Sequence, residues 1–412
     1  MSSSASLADY RAALTAPGAV VPVLASAVGR FPIAMLPLAT LLYVQRETGS
    51  FAAAGLVSAG QMIGVAAGSV AQGRVVDRLG PSRPLLTVVV LFVLAVTALV
   101  TAIETGQPLP VVVALATGAG IVRPALEGAS RSLWTVLVPA GSARSAALTY
   151  EAISLEVFFI LGPAIAAFLV AAPWPGLGLV VAGSAMALGA GAFALSGPAR
   201  GIGRTPAHGG VSLLGALGRP GMRTVAVASL GFGLVIGSVE VGLPAVTAAA
   251  GSPTLGGVLL SAWSISSVLA GVLYGMRPWP RPLHLRMPAL LGGFAVLVAA
   301  MALVGPTGSM AVLVITMIVS GALITPQVTG HSLAVDIAAP PGAAAEAFGW
   351  VITAATLGIA TGQSSAGLVV EAFGPPAAFV SGGAAGVVLA MVLWLRRSTL
   401  LPQPVEAPAP VA

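Results

Sequence analysis

Long apolar runs separated by short polar joints occupy almost the whole chain. They fall near 17–43, 51–72, 84–103, 109–134, 146–171, 175–196, 223–249, 254–276, 287–305, 310–333, 346–370 and 377–395. A helix needs about 20 mostly apolar residues to cross the hydrocarbon core of a bilayer. The runs are continuous and do not alternate apolar with polar, so they predict helices rather than barrel strands. The fold class expected is an all-α membrane protein, with twelve transmembrane helices in two pseudo-symmetric six-helix halves. Several runs exceed the minimum length, which leaves room for tilts or kinks.

The joints set an orientation. Fifteen of the arginines fall on the side that carries both termini, and Arg46 alone falls opposite. Under the positive-inside rule both termini are cytoplasmic. The longest polar joint divides the chain into a cytoplasmic N-terminal segment (1–16), a six-helix half (17–196), a cytoplasmic linker (197–222), a second half (223–395) and a disordered cytoplasmic tail (396–412). The halves echo each other at an offset near 200 residues. Gly73-Arg74 after span 2 answers Gly275-Met276-Arg277 after span 8, and Gly162-Pro163 answers Gly362-Gln363. Two such halves around a central site are the expected form of a rocking transporter.

Composition points the same way. Hydrophobic residues make up 57% of the chain and charged residues only 7%, against about a quarter charged in soluble domains. Mean hydropathy is +1.01. Lipid must therefore serve as solvent for most of the exterior, and a multi-pass cell-membrane protein is expected. The 18 basic residues are all arginine and are dispersed between apolar runs, so no continuous face suits nucleic acid. Without cysteine there is no disulfide or thiolate chemistry. The polar start lacks the features of a cleaved signal peptide. His208, His284 and His331 are too dispersed to hold a metal, and no Gly-Lys-Ser/Thr phosphate loop is present. Neither a cofactor nor an enzymatic activity is expected, and the chain is read as a monomer.

The strongest local motif is Gly73-x-x-x-Asp77-Arg78-x-Gly80, between spans 2 and 3. Its glycines permit close helix approach and a tight reversal. Its adjacent acid and base can tie the turn to a neighbouring helix end and so bias one conformation. The motif resembles the signature loop of the major facilitator superfamily, with Pro81-Ser82-Arg83 standing where the family carries a basic pair. The resemblance extends through VRPALEGASRSLW (122–134), LTYEAISLEVFFILGPAIAAFL (148–169) and EAFGWVITAATLGIATG (346–362) to a branch of transport and efflux proteins common in high-GC bacteria. It implies the superfamily fold, and a conformational switch at Gly73, Asp77, Arg78, Gly80 and Arg83. Gly162-Pro163 in span 5 is similar to the antiporter signature of exporters. As plain chemistry, the pair frees a carbonyl and bends a helix.

Charges inside the spans form the remaining signal, because each costs about 2.5–3.5 kcal/mol at a helix centre unless paired or facing water. Arg123, Glu127 and Arg131 lie four apart and predict a charged ridge on span 4, with Arg123 placed to reach Glu156 on span 5. Glu151 and Glu156 point to different faces. Glu156 and Glu240 are the candidates for proton coupling, since desolvation favours the neutral acid. Glu127 and Glu151 read better as structural pairs. Arg30, with Pro32 and Pro37 close by, either meets an anionic substrate or neutralises an acid. Gln61 and Gln363 either line the cavity or bond between helices. The expected protein is a secondary transporter exporting a small amphipathic molecule in exchange for protons. An importer or facilitator of a nutrient such as a sugar stands as the alternative, and a non-transporting sensor or scaffold as the alternative of another class.

Overall fold

The structure, a computed structural model, describes residues 7–139, 141–201, 216–275, 281–339 and 344–401, apart from a few side chains inside helices. The crossings run Val20–Thr48 (span 1), Phe51–Leu79 (span 2), Ser82–Glu104 (span 3), Leu109–Ile121 with Leu126–Leu137 (span 4), Ser142–Val170 (span 5) and Leu177–Leu195 (span 6). The second half runs Pro220–Ala249 (span 7), Pro253–Gly275 (span 8), Leu283–Ala300 (span 9), Met310–Gly321 with Ile324–Ala338 (span 10), Ala344–Phe373 (span 11) and Ala377–Arg396 (span 12). Eleven of these segments are long and apolar enough to cross a membrane. Span 11 completes the set as a 30-residue helix packed between spans 7 and 2. No strand occurs among the described residues. Helices satisfy their own backbone polar groups, which lipid cannot do. Their outward faces are apolar, with Phe168, Leu188 and Leu269 each at least 60% exposed.

Three elements differ from the pattern read along the chain. Span 2 continues two turns beyond its apolar run, to Leu79, so Gly73–Arg78 is helix and not loop. The reversal falls at Gly80, whose φ of +78° is left-handed backbone that favours glycine. Span 4 breaks between Ile121 and Leu126, where Pro124 cannot supply a helical N–H. Span 10 breaks near Ala322–Leu323, close to the 200-residue offset of the repeated halves. Span 1 has a related interruption, a single 3-10 turn at Phe31–Ile33 directly after Arg30.

The segments outside the spans are partly built into the body. Leu7–Leu14 is a helix lying against span 5, where Ser142 Oγ donates to Asp9 Oδ1 at 2.6 Å. Span 7 begins at Pro220, taking in the end of the expected linker; residues 202–215 lie outside the described residues. The expected disordered tail starts instead as an ordered turn, Arg397–Leu400, with Leu400 buried; residues 402–412 lie outside the described residues.

The halves meet along two seams, span 2 with span 11 and span 5 with span 8. Both are formed toward the face opposite the termini. At one seam the backbones approach so closely that a Cβ at Gly55 would collide with the carbonyl oxygen of Gln363. Farther along it Ala59, Met62 and Ala360 are buried together. At the other seam Gly257 lies against Pro163 and Ala167, and the Ala164 N–H donates to Ser261 Oγ at 3.1 Å. Toward the termini, a Cβ added at Gly73 would meet no described atom within 4 Å, and Glu156 is exposed. Among the described residues, the contacts between the halves lie toward the face opposite the termini.

Candidate functional site

Span 1 turns at Arg30 because Pro32 interrupts the helix beyond it, and the guanidinium is buried against spans 4 and 5. Its Nη1 donates to Glu151 Oε2, and its Nη2 to the Glu151 carbonyl oxygen at 3.1 Å. The Phe158 ring lies 5.8 Å from the guanidinium carbon. The other oxygen of Glu151, Oε1, accepts from Ser130 Oγ at 2.8 Å and from Trp134 Nε1 at 2.9 Å. Ser26 Oγ donates to Ser130 Oγ at 2.7 Å and extends the chain back to span 1. Every member is buried, and Trp134 has no exposed surface. Both charges are thus matched inside the first half, and Arg30 neutralises an acid in this conformation.

The inter-helix pair expected between Arg123 and Glu156 is not made. Arg123 lies in the break of span 4, off the helix, and its Nη2 reaches Glu127 Oε1 at 3.4 Å on a partly exposed surface. The break also interrupts the expected ridge of Arg123, Glu127 and Arg131. One residue not singled out in the sequence holds this break together. Gln72 of span 2 donates Nε2 to the carbonyls of Ile121 (2.9 Å) and Arg123 (2.8 Å), and its Oε1 accepts from the Ala125 N–H at 3.0 Å. Those backbone groups lost their partners where the helix broke, and in lipid they need others. The available signal was an amide within an apolar run, combined with Pro124 on the next-but-one span.

In the second half, Glu240 lies within span 7 and is half-buried. Its Oε2 accepts from Gln363 Nε2 at 2.8 Å, and no ion pair reaches it among the described residues. Gln363 is 1% exposed and its Oε1 makes no hydrogen bond among the described residues; the same holds for the Oε1 of buried Gln61. Spans 7 and 11 can bring these side chains together because a Cβ at Gly237 would collide with the Ile359 carbonyl. Glu156 of span 5 is exposed and makes no hydrogen bond or ion pair among the described residues. Seven residues separate it from Pro163, close to two full turns, so it shares the face that meets span 8. Trp263 is committed inside the second half: its Nε1 donates to Ser320 Oγ at 3.0 Å and its ring stacks on Phe294 at 6.0 Å. His331 is buried edge-on to Phe232 at 5.8 Å.

Of the switch motif, the Asp77 and Arg78 side chains lie outside the described residues. A Cβ added at Gly73 would meet no described atom within 4 Å, and Arg83 is exposed. Pro163 is accommodated within a continuous span 5, while Gly162 lies against Ala34 of span 1. On the face opposite the termini Glu371, at the end of span 11, accepts from Ser50 Oγ and from the Ala52 N–H at 3.4 Å. Ser50 is itself the N-cap of span 2, accepting from the Ala53 N–H at 2.9 Å. An acid from one half thus sits at the positive end of a helix of the other.

Comparison with known proteins agrees with this architecture. The sequence profile of the Major Facilitator Superfamily matches residues 23–363. No curated protein sequence matches the chain. Among solved structures, the nucleoside transporter NupG is similar at TM-score 0.67 and 16% identity, covering 91% of this chain and 99% of that one. The peptide transporter POT in complex with alafosfalin gives 0.69 at 18% identity, covering 93% and 95%. The human organic anion transporter MFSD10 gives 0.58 at 17% identity, covering 92% and 99%. At such identities the structural likeness shows the fold alone, whereas the profile match spans most of the sequence. This chain is a multi-pass membrane protein that belongs to the major facilitator superfamily, and it is a transporter of that type.

Proposed function

We propose that the protein exports a small amphipathic compound across the cell membrane in exchange for protons, by alternating access, with both termini in the cytoplasm. The observation that carries this reading is Glu240. Its carboxyl lies within span 7, is met by a neutral amide rather than a cation, and is one hydrogen bond from the residue whose carbonyl abuts Gly55 of the other half. A coupling group must have different proton affinity in the two conformations, since equal affinity shifts nothing. Opening the face opposite the termini separates span 2 from span 11 and changes the surroundings of that pair, which supplies such a difference. Glu156, exposed on the face that meets span 8, is the second candidate. The motif Gly73, Asp77, Arg78, Gly80 and Arg83 acts as the conformational switch of the same cycle.

The export direction rests on Gly162-Pro163, similar to the antiporter signature and located where span 5 meets span 8 and Ala34. The amphipathic cargo is inferred from the few polar groups beside otherwise apolar inter-half surfaces. The test is transport of a panel of fluorescent amphipathic dyes by proteoliposomes under an imposed pH gradient. Wild-type protein is expected to accumulate at least one dye against its gradient. Glu240→Gln is expected to abolish that accumulation while sparing downhill exchange. Accumulation at wild-type rates by Glu240→Gln, by Glu156→Gln and by the double variant would make both acids structural and place the coupling group elsewhere, whereas downhill flux without accumulation by wild-type protein would favour a facilitator.

A further inference from the structure

We propose that Gln363 is the positioning residue for Glu240, and that its side-chain amide serves both protonation states of that carboxyl by turning over in place. The inference rests on Glu240 being the coupling group. In the described state Gln363 Nε2 donates to Glu240 Oε2 at 2.8 Å, the arrangement an ionised carboxylate requires. The other end of the amide, Oε1, is buried and makes no hydrogen bond among the described residues. A protonated carboxyl becomes a donor and needs an acceptor. Rotation of the Gln363 amide by half a turn presents Oε1 to that new O–H. The step balances simply: a hydronium ion from the acid buffer gives one proton to a Glu240 oxygen and leaves as water, the N–H···O bond breaks, and an O–H···O bond forms. No covalent bond of the amide changes.

The packing suits this exchange. Gln363 is 1% exposed, so its amide is held beside Glu240 and away from solvent. The oxygen and the NH2 of an amide are nearly the same size, so turning over needs no extra room. The backbone stays put, because a Cβ at Gly55 would meet the Gln363 carbonyl from one side and a Cβ at Gly237 would meet the Gln363 N–H from the other. The charged groups whose side chains are described on the elements packed against span 7 stand toward its ends. Arg46, Glu47 and Glu371 are at the face opposite the termini, while His284, Arg286, Asp336, Arg396 and Arg397 are toward the terminus-bearing face. His331 of span 10 packs against Phe232, two turns of span 7 away from Glu240. None of these makes a hydrogen bond or ion pair to Glu240 among the described residues. Among the described side chains, the Gln363 amide is the polar group that meets Glu240.

Infrared difference spectra of the reconstituted full chain, taken between acid and alkaline buffer, test this without any substrate. Uniform labelling of glutamine with carbon-13 and nitrogen-15 separates the glutamine amide bands from the backbone. Wild-type protein is expected to gain a protonated-carboxyl band and, with the same pH midpoint, to shift a glutamine amide carbonyl band. Glu240→Gln should lose the carboxyl band and the pH-dependent amide shift. Gln363→Met, close in volume, should keep a carboxyl band and lose the amide shift. A carboxyl band that Glu240→Gln removes, without any glutamine shift in wild-type protein, would overturn the role of Gln363 and leave the coupling role of Glu240 standing. A carboxyl band untouched by Glu240→Gln would overturn both. The decisive wild-type spectrum does not depend on whether either variant folds.

Discussion

Glu151 and Glu240 are both acids set inside the spans, one in each half, and they are held in opposite ways. Glu151 is closed in by a guanidinium, a hydroxyl and an indole from spans 1 and 4, so its charge is fully answered. Glu240 meets one neutral amide beside the inter-half seam. The contrast is one of partners: the same side chain is saturated by several donors in one half and met by a single amide in the other. What differs is the charge and number of the partners, since a buried charge is costly unless an opposite charge and hydrogen bonds answer it.

The comparison breaks first at Glu151. Glu151→Ala leaves the Arg30 guanidinium buried without its counter-charge, a change that costs about 3–5 kcal/mol for buried pairs. Thermal unfolding of detergent-purified protein should show a large drop in midpoint or loss of folded material. Glu240→Ala, measured in parallel, should unfold within a few degrees of wild type. Equal losses would erase the distinction between the two acids.

Gln72→Leu tests whether amides hold spans together as firmly as the ion pair does. It leaves the carbonyls of Ile121 and Arg123 and the N–H of Ala125 without their partner, and each unsatisfied buried group costs about 1–3 kcal/mol. The expected loss is close to that of Glu151→Ala, with faster amide hydrogen exchange confined to the break in span 4. Trp134→Phe removes one of the three side-chain donors to Glu151, and a hydrogen bond to a charged group contributes about 1.5–3 kcal/mol. A moderate fall in the unfolding midpoint with unchanged pH dependence of transport would sharpen the reading of Glu151 as a structural partner of Arg30.

Gly55→Ala acts on the setting of Glu240 and not on its partner. The new methyl meets the Gln363 carbonyl and should force the halves apart at the face opposite the termini, shifting spin-label distances toward closure of the terminus-bearing mouth. The smallest effect is expected from Glu371→Gln, because that acid is exposed and exposed polar pairs contribute little. It should nudge the same distances in the same direction, and the nudge should shrink at high salt.

Much of the architecture was legible along the chain, because crossing a bilayer demands long apolar runs and leaves a plain periodic signature. The runs near 51–72 and 223–249 correspond to helices that begin or end within a few residues of them. Span 2 was underestimated because its last two turns are polar, although helical hydrogen bonding continues to Leu79. The partners of the embedded charges were not legible in the same way. Arg123 and Glu156 lie on consecutive spans and invite pairing, yet Pro124 takes Arg123 off the helix and Arg30, far away in sequence, reaches Glu151 instead.

The sequence by itself determined that the chain crosses the membrane in two related six-helix halves, which acids and amides lie inside the spans, and where proline interrupts helices. These follow from local hydropathy and backbone chemistry, which depend on neighbours only a few residues away. Only the tertiary structure decided that Glu151 is saturated while Glu240 has a single amide, that Gln72 supports span 4, and that the seams lie toward the face opposite the termini. Those outcomes depend on which helices lie side by side and on rotation about their axes. A turn of 100° per residue moves a side chain from one neighbour to another without changing the apolar pattern that built the helix.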